Sequence, residues 1–287
     1  MSTDYLRELL VRQLATWLPT ALRRSRRATV ALAGVDAEVA EAVLRLVGGH
    51  ADHLRGRQLT LVVLADGAPE LPTRLGPVEA ELPAEVTVHL LPGDPGRLPV
   101  AIKAAGAAGA PLFSFVDLPG AVPPALLTAA ANGRAGELLL RTDRSARAAL
   151  VAAGFPLVAE VTPVLPADAS IGLLAHASRS DRSLEVVRDA LWTVGAAFDV
   201  GYRDPSGASV DVSGTPDLEP LARELLAELR RGGSRPVTEL RRHTVTATVY
   251  RAAHANQALT DLLDAGEVRR DRDAGRLAGD ELITPTP

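Results

Sequence analysis

Apolar and polar positions alternate along the first half of the chain in blocks that predict strands and helices in turn. Continuous apolar runs predict buried strands, because a strand covered on both faces loses its polar alternation. Five such runs occur, at 28–33, 59–65, 86–91, 112–116 and 137–141. Helical patterns separate several of them, at 37–47, 98–108, 123–131 and 144–153. This alternation predicts an α/β fold with a doubly wound parallel sheet of Rossmann type.

Two further strands, at 157–162 and 171–177, are predicted without a helix between them. Parallel neighbours need a long crossover, so these strands are expected to form an antiparallel hairpin at the end of the sheet. Five parallel strands closed by such a hairpin are typical of methyltransferase folds. A short helix at 183–191 leads to Trp192, and the Gly- and Asp-rich segment 198–213 is predicted to be a surface excursion.

The amino-terminal segment has apolar residues at helical spacing from Tyr5 onward, which predicts an amphipathic helix over 5–27. It ends in the run Arg23-Arg24-Ser25-Arg26-Arg27. A solvated helix end, favoured by the helix dipole, is the preferred interpretation of this run. A phosphate-binding role is the alternative.

The pattern changes near residue 216, which divides the chain into predicted domains 1–215 and 216–287. A linker helix at 218–231 precedes two shorter helices, at 237–243 and 254–265, and a strand–turn–strand over 268–283. Helices joined by a short turn and followed by a β-hairpin predict a winged helix.

Composition excludes several classes of function. The 287 residues are 47% hydrophobic and 23% charged, with a formal net charge of −4, so nothing attracts nucleic acid or an anionic membrane globally. The chain has no cysteine, which rules out disulfides, thiolate nucleophiles and Cys-ligated metals. The start of the sequence lacks a signal-peptide pattern, and no apolar run is long enough to span a membrane. A cytoplasmic protein that does not bind membranes or metal is therefore expected.

Acids follow successive predicted strands, at the edge where open α/β sheets bind ligands. Gly34 and Asp36 follow the first strand, Asp66 the second, Asp94 the third and Asp117 the fourth. A methyltransferase fold binds S-adenosylmethionine along this edge. Gly34 would let the cofactor approach the backbone, and Asp66 would hold its ribose. Asp94 would accept from the adenine amino group, and Asp117 is the catalytic candidate. Each acid alone is more often a helix cap or turn residue.

The predicted winged helix offers polar residues for contact with DNA or protein. His254, Asn256 and Gln257 lie on its second helix, with Arg251 just before it and Arg269 and Arg270 beyond. A DNA-binding winged helix inserts this helix into the major groove. Arginines around the helix are interleaved with acids, so the local charge nearly cancels. Dimerisation or partner docking is therefore slightly favoured over DNA binding.

Three segments resemble the three-Cys-motif partner proteins. Residues 113–120, Phe-Ser-Phe-Val-Asp-Leu-Pro-Gly, are similar to a strand end of that family. Residues 184–192, ending in Leu191-Trp192, resemble its junction between sheet and tail, and 248–266 resembles its carboxyl-terminal winged helix. The resemblance implies a methyltransferase-like domain with a winged helix, and a separate three-Cys-motif protein as partner.

The chain departs from that family at the first strand. The family has an Asp-Gly-Phe-Ala-Gly segment there, whereas this chain keeps only Leu32-Ala33-Gly34. A turn with bulkier side chains hinders close approach of a cofactor to the backbone. The sequence therefore predicts an S-adenosylmethionine-dependent methyltransferase-like protein whose activity is weakened or lost. The alternatives are a non-catalytic scaffold or partner-binding relative, with a possible homodimer, and a winged-helix nucleic-acid-binding protein.

Overall fold

A computed structural model describes residues 2–65, 70–165, 171–212, 214–272 and 275–286. Within these ranges nine strands form one sheet and three form a second, smaller sheet. The strands of the large sheet are β1 (Arg27–Ala33), β2 (Gln58–Ala65), β3 (Val86–Pro92), β4 (Leu112–Asp117), β5 (Gly136–Thr142), β6 (Leu157–Val164), β7 (Leu173–Ser178), β8 (Gly201–Arg203) and β9 (Ser209–Val210). The helices around it are α1 (Ser2–Arg24), α2 (Ala37–Gly48), α3 (Ala51–Leu54), α4 (Leu71–Ala80), α5 (Leu98–Ala104), α6 (Pro124–Ala131), α7 (Arg147–Ala152) and α8 (Asp181–Phe198), with a 3-10 turn at Pro95–Arg97.

The large sheet has the strand order β3-β2-β1-β4-β5-β7-β6-β8-β9. The first five strands are parallel, and β7 runs antiparallel to both β5 and β6. The order reverses between β1 and β4, where Ala33 lies opposite Val116. The predicted doubly wound, methyltransferase-like α/β fold is confirmed.

Alternate residues of the central strands enter different cores. Val30, Leu32, Leu61 and Val63 pack in a cluster with α1, α2 and α8. The intervening residues of β1 and β2 pack with α5, α6 and α7. Both faces of the sheet are thus covered by helices, which explains why its strands are continuous apolar runs.

Several predicted elements differ from the observed ones. The β6–β7 hairpin does not end the sheet, because β8 and β9 continue beyond β6. The segment predicted to be a surface excursion, 198–213, supplies those two strands, and its Tyr202 is buried. Helix α8 is longer than the predicted 183–191. Ser180 caps its start, and it continues to Phe198, after which Asp199 has a left-handed backbone conformation. Helices α3 and α4 were not predicted, and α5 ends four residues early.

The carboxyl-terminal unit, residues 219–286, contains three helices and the small sheet. Its elements are α9 (Glu219–Gly232), β10 (Arg235–Pro236), α10 (Val237–Ala247), α11 (Ala252–Asp264), β11 (Val268–Arg270) and β12 (Leu282–Pro285). Strand β12 lies between β10 and β11 and runs antiparallel to both.

Hydrogen bonds and a shared core tie this unit to the large sheet. The Trp192 indole donates to the Val249 carbonyl at 2.8 Å, and Arg188 donates to the Val245 carbonyl at 2.6 Å. Arg147 donates to the Thr246 carbonyl at 2.8 Å. Residues from both parts belong to one apolar cluster.

Among the described helices, none combines the length and the apolar character required to cross a membrane.

Candidate functional site

The strand ends where the order reverses form the candidate site predicted from the sequence. Gly34 follows β1, Asp94 follows β3, and Asp117 ends β4. Asp36 precedes α2. These residues lie at one edge of the sheet because the carboxyl ends of parallel strands share an edge. Asp66 lies outside the described residues.

Gly34 lies directly after β1 and close to the end of β4. Its φ of +75° is in the left-handed region, and its N–H donates to the Leu64 carbonyl at 3.0 Å. A Cβ added at Gly34 would collide with the backbone carbonyl of Asp117. It would also lie 3.2 Å from the ring Cγ of Pro95. The two strands therefore stay in contact at the reversal, and the loop after β3 reaches the same point.

Asp36 and Asp94 each have a local structural role. Asp36 caps α2, with its carboxylate accepting from the Val39 N–H at 2.9 Å. Asp94 begins the 3-10 turn, and its carboxylate accepts from the Gly96 N–H at 2.7 Å. Carboxylates at such positions satisfy amide donors that have no partner within the helix.

Asp117 is paired with an arginine on the neighbouring strand. Arg141 lies opposite Asp117 in register, and its Nε donates to Asp117 Oδ1 at 2.7 Å. Arg141 also donates to the Ile171 carbonyl at 3.1 Å. Burial raises the pKa of Asp117, and this outweighs the lowering by the Arg141 hydrogen bond and charge. Asp36 adds a smaller repulsion that raises this pKa further.

Sequence reasoning missed Arg141 and Pro95 at this edge. Arg141 could have been noticed as a charged residue that ends an otherwise apolar strand next to the Asp117 strand. Pro95 carried no comparable signal, since a proline after an acid is common in turns. Its contact with Gly34 depends on how the loop after β3 folds back.

Four of the cavities on the described part of the molecule lie away from Gly34, Asp36, Asp94 and Asp117.

Residues predicted to contact a partner cluster at the start of α11. The Arg251 guanidinium donates to His254 Nε2 at 2.9 Å and lies 5.0 Å from the centre of the Trp192 ring. The His254 ring packs edge-on against Trp192 with centroids 4.5 Å apart. Burial, followed by the nearby charge of Arg251, lowers the pKa of His254 to about 4. The imidazole is thus a neutral packing group at pH 7.

The other predicted contact residues are spread over the unit. Asn256 accepts from Arg241 Nε at 2.8 Å, and Gln257 donates to Asp261 at 2.9 Å on the exposed face of α11. Arg270 forms a two-point ion pair with the buried Glu281. Arg269 is exposed on β11. Most of these polar groups therefore already have partners within the chain.

Four of the histidines do not come together in the described residues. The His50 and His53 rings lie 5.9 Å apart, and His50 Nδ1 is bonded to the Leu46 carbonyl at 2.8 Å. His89 is exposed on β3, and His176 is buried on β7. No group of three or more His, Asp or Glu side chains in the described ranges is placed to hold a metal ion.

Comparison with known proteins gives a distant structural likeness. No family model matches the sequence, and no curated protein matches it. Among solved structures, the chain is similar to a predicted O-methyltransferase from Agrobacterium tumefaciens. The identity is 17% and the TM-score 0.32, over 53% of this chain and 74% of that one.

Proposed function

We propose that this protein is a non-catalytic relative of the methyltransferases that acts by binding a partner protein. The observation that carries the proposal is the ion pair of Asp117 with Arg141, which engages the acid that the sequence offered for catalysis. In open α/β sheets ligands bind in the crevice at the strand reversal, and this pair lies at that edge.

The charges at the same edge also support loss of catalysis. A catalytic acid must contact the substrate or a reacting proton, but the Asp117 carboxylate is engaged by Arg141. Asp36 and Asp94 cap local turns. Each of these three acids therefore has a partner within the chain before any cofactor binds.

We propose the carboxyl-terminal unit as a winged helix and as the partner-binding part. Its order of helix, strand, two helices and two strands, with β12 between β10 and β11, supports this assignment. The resemblance described above suggests a separate three-Cys-motif protein as the partner. Base reading in DNA is the less favoured use, because Asn256 and Gln257 are bonded to Arg241 and Asp261.

Calorimetry and thermal melting with S-adenosylmethionine and S-adenosylhomocysteine test the loss of the cofactor site. We expect no binding heat and no change in Tm at millimolar ligand, because binding to the native state alone must raise Tm. A saturable heat with a matching rise in Tm would overturn the proposal.

Co-purification with a co-expressed three-Cys-motif protein tests the partner role. Gln257 and Thr260 are exposed on α11, and we expect Gln257→Arg with Thr260→Arg to abolish co-purification. The control is Ala125→Arg with Thr128→Arg on the exposed face of α6, which should retain the partner. Absence of a complex with the unmodified protein, or equal loss in both double variants, would contradict the assignment.

A further inference from the structure

A cavity of about 500 Å³ opens at the opposite edge of the sheet from Asp117. It lies between the second half of α1, the start of β5 at Gly136 and the beginning of α8. Gly136 and Arg141 are five residues apart on β5, which is about 16 Å at roughly 3.3 Å per residue. The cavity is therefore separate from the edge where the strand order reverses. Its volume lies within the ~300–1,000 Å³ usual for small-molecule sites.

Positive charge dominates the lining of this cavity. Its charged residues are five arginines, Arg23, Arg24, Arg134, Arg179 and Arg182, and one acid, Glu137. Within the described residues, Arg24, Arg134 and Arg179 form no ion pair with a carboxylate. Unpaired arginines gathered around a concave surface are suited to bind an anion with several oxygens.

The acids near the cavity are already engaged. The Ser183 hydroxyl donates to Glu137, and Arg182 pairs with Glu185 at 3.2 Å. Asp181, in the first turn of α8, is held by Arg242 outside the cavity at 2.6 Å. The positive end of the α8 dipole adds to the arginine charges, because this 18-residue helix begins at the cavity wall.

The inner wall of the cavity is partly apolar. Trp17 and Val186 line it and offer apolar contact. Gln13 also lines it and is 1% exposed, with its Oε1 enclosed by the chain.

We infer that this cavity binds a phosphorylated small molecule of nucleotide size. The phosphate meets Arg24, Arg134 and Arg179 at the rim. The organic part packs beside Trp17, which lines the cavity. The arginine-rich end of α1, at Arg23 and Arg24, is thereby a phosphate-binding element as well as a helix end. This site is independent of the proposed function, since none of its residues belongs to the strand-reversal edge or to the carboxyl-terminal unit.

Titration with adenosine 5′-monophosphate, inorganic phosphate and adenosine tests the inference, with Trp17 fluorescence as the signal in a Trp192→Phe background. We expect saturable binding of the nucleotide, at least ten-fold weaker binding of phosphate, and no binding of adenosine. Titration with a 5′-phosphorylated oligonucleotide shows whether the bound phosphate belongs to a free nucleotide or to the end of a nucleic acid. Absence of saturable nucleotide binding would overturn the inference.

Charge-matched variants separate a specific site from general attraction. Arg134→Ala with Arg179→Ala should weaken nucleotide binding at least ten-fold. Arg144→Ala with Arg276→Ala removes two exposed arginines that do not line the cavity and should leave binding unchanged. Equal effects of the two double variants would overturn the inference.

Discussion

Arg141 and Asp117 face each other on adjacent parallel strands, with Nε and Oδ1 2.7 Å apart. The arginine has a second partner in the Ile171 carbonyl, whereas Asp117 depends on Arg141 to offset the cost of its burial. The two residues therefore contribute unequally to the stability of this edge.

Replacing the arginine should cost more stability than neutralising the acid. We expect Arg141→Ala to lower the free energy of unfolding by about 1–3 kcal/mol, because it leaves a half-buried carboxylate and a carbonyl unpaired. Asp117→Asn should cost less than about 1 kcal/mol, because the raised pKa of Asp117 shows that burial disfavours its charge. Urea unfolding of both single variants and the double variant gives the coupling energy. A larger loss in Asp117→Asn than in Arg141→Ala would contradict this account.

Gly34→Ala should be strongly destabilising, and Gly109 provides a matched control. Both glycines have φ of +75°, but a Cβ at Gly109 would meet nothing within 4 Å. Gly109→Ala should cost only the left-handed conformation, about 1–2 kcal/mol. Gly34→Ala adds the collision with the Asp117 carbonyl, so we expect about 1–3 kcal/mol more. Urea midpoints measure the difference, and equal costs would mean that the strands separate easily at this point.

Two buried tyrosines should respond differently to loss of their hydroxyls. The Tyr5 and Tyr202 hydroxyls are 2.9 Å apart, and Tyr202 also donates to the Leu191 carbonyl at 2.5 Å. Tyr202→Phe leaves the Tyr5 hydroxyl without its acceptor and should cost about 2 kcal/mol. Tyr5→Phe preserves the Tyr202 donation and should cost about 1 kcal/mol or less. Thermal melting of the two variants tests this order, which a reversed ranking would refute.

Acid should destabilise the protein through His254. Its pKa is about 4 when folded against an ordinary value of 6.5, so the unfolded chain takes up the proton first. The contribution of His254 to stability is complete above about pH 6.5 and is lost as the pH falls toward 4. The slope attributable to this residue is at most roughly 1.4 kcal/mol per pH unit.

Comparison with His254→Gln isolates that slope from the titration of acids. The difference in unfolding free energy between the two proteins should narrow as the pH falls from 6.5 to 4. A difference that stays constant with pH would show that His254 titrates alike in both states.

The sequence predicted the fold well where local pattern and burial agree. The continuous apolar runs at β1, β2, β4 and β5 reflect coverage on both faces, and their positions match the observed strands within a residue or two. The segment after α8 was misjudged because Gly201 and Asp204 are typical of loops. Burial of Tyr202 against α8 makes this segment part of the sheet, and a pattern of neighbouring residues does not reveal that contact.

The candidate site was harder to predict from the sequence than the fold. The positions of Asp36, Asp94 and Asp117 at strand ends followed from the alternation of elements. The pairing of Asp117 with Arg141 depends on side-chain contact between two strands, and no residue pattern records it. The cavity beside Gln13 lies between α1 and the pair β5 and α8, which follow α1 by more than a hundred residues in the chain.

Arg147, Arg188 and Trp192 donate hydrogen bonds to three carbonyls in the last turn of α10 and just after it. The carboxyl-terminal unit cannot leave the sheet without leaving the buried Arg188 and Trp192 donors unpaired, so the two parts should melt as one cooperative body. A partner that binds α11 would then raise the melting temperature of the large sheet, although it does not contact that sheet. Binding of a partner at α11 should therefore stabilise the large sheet as well.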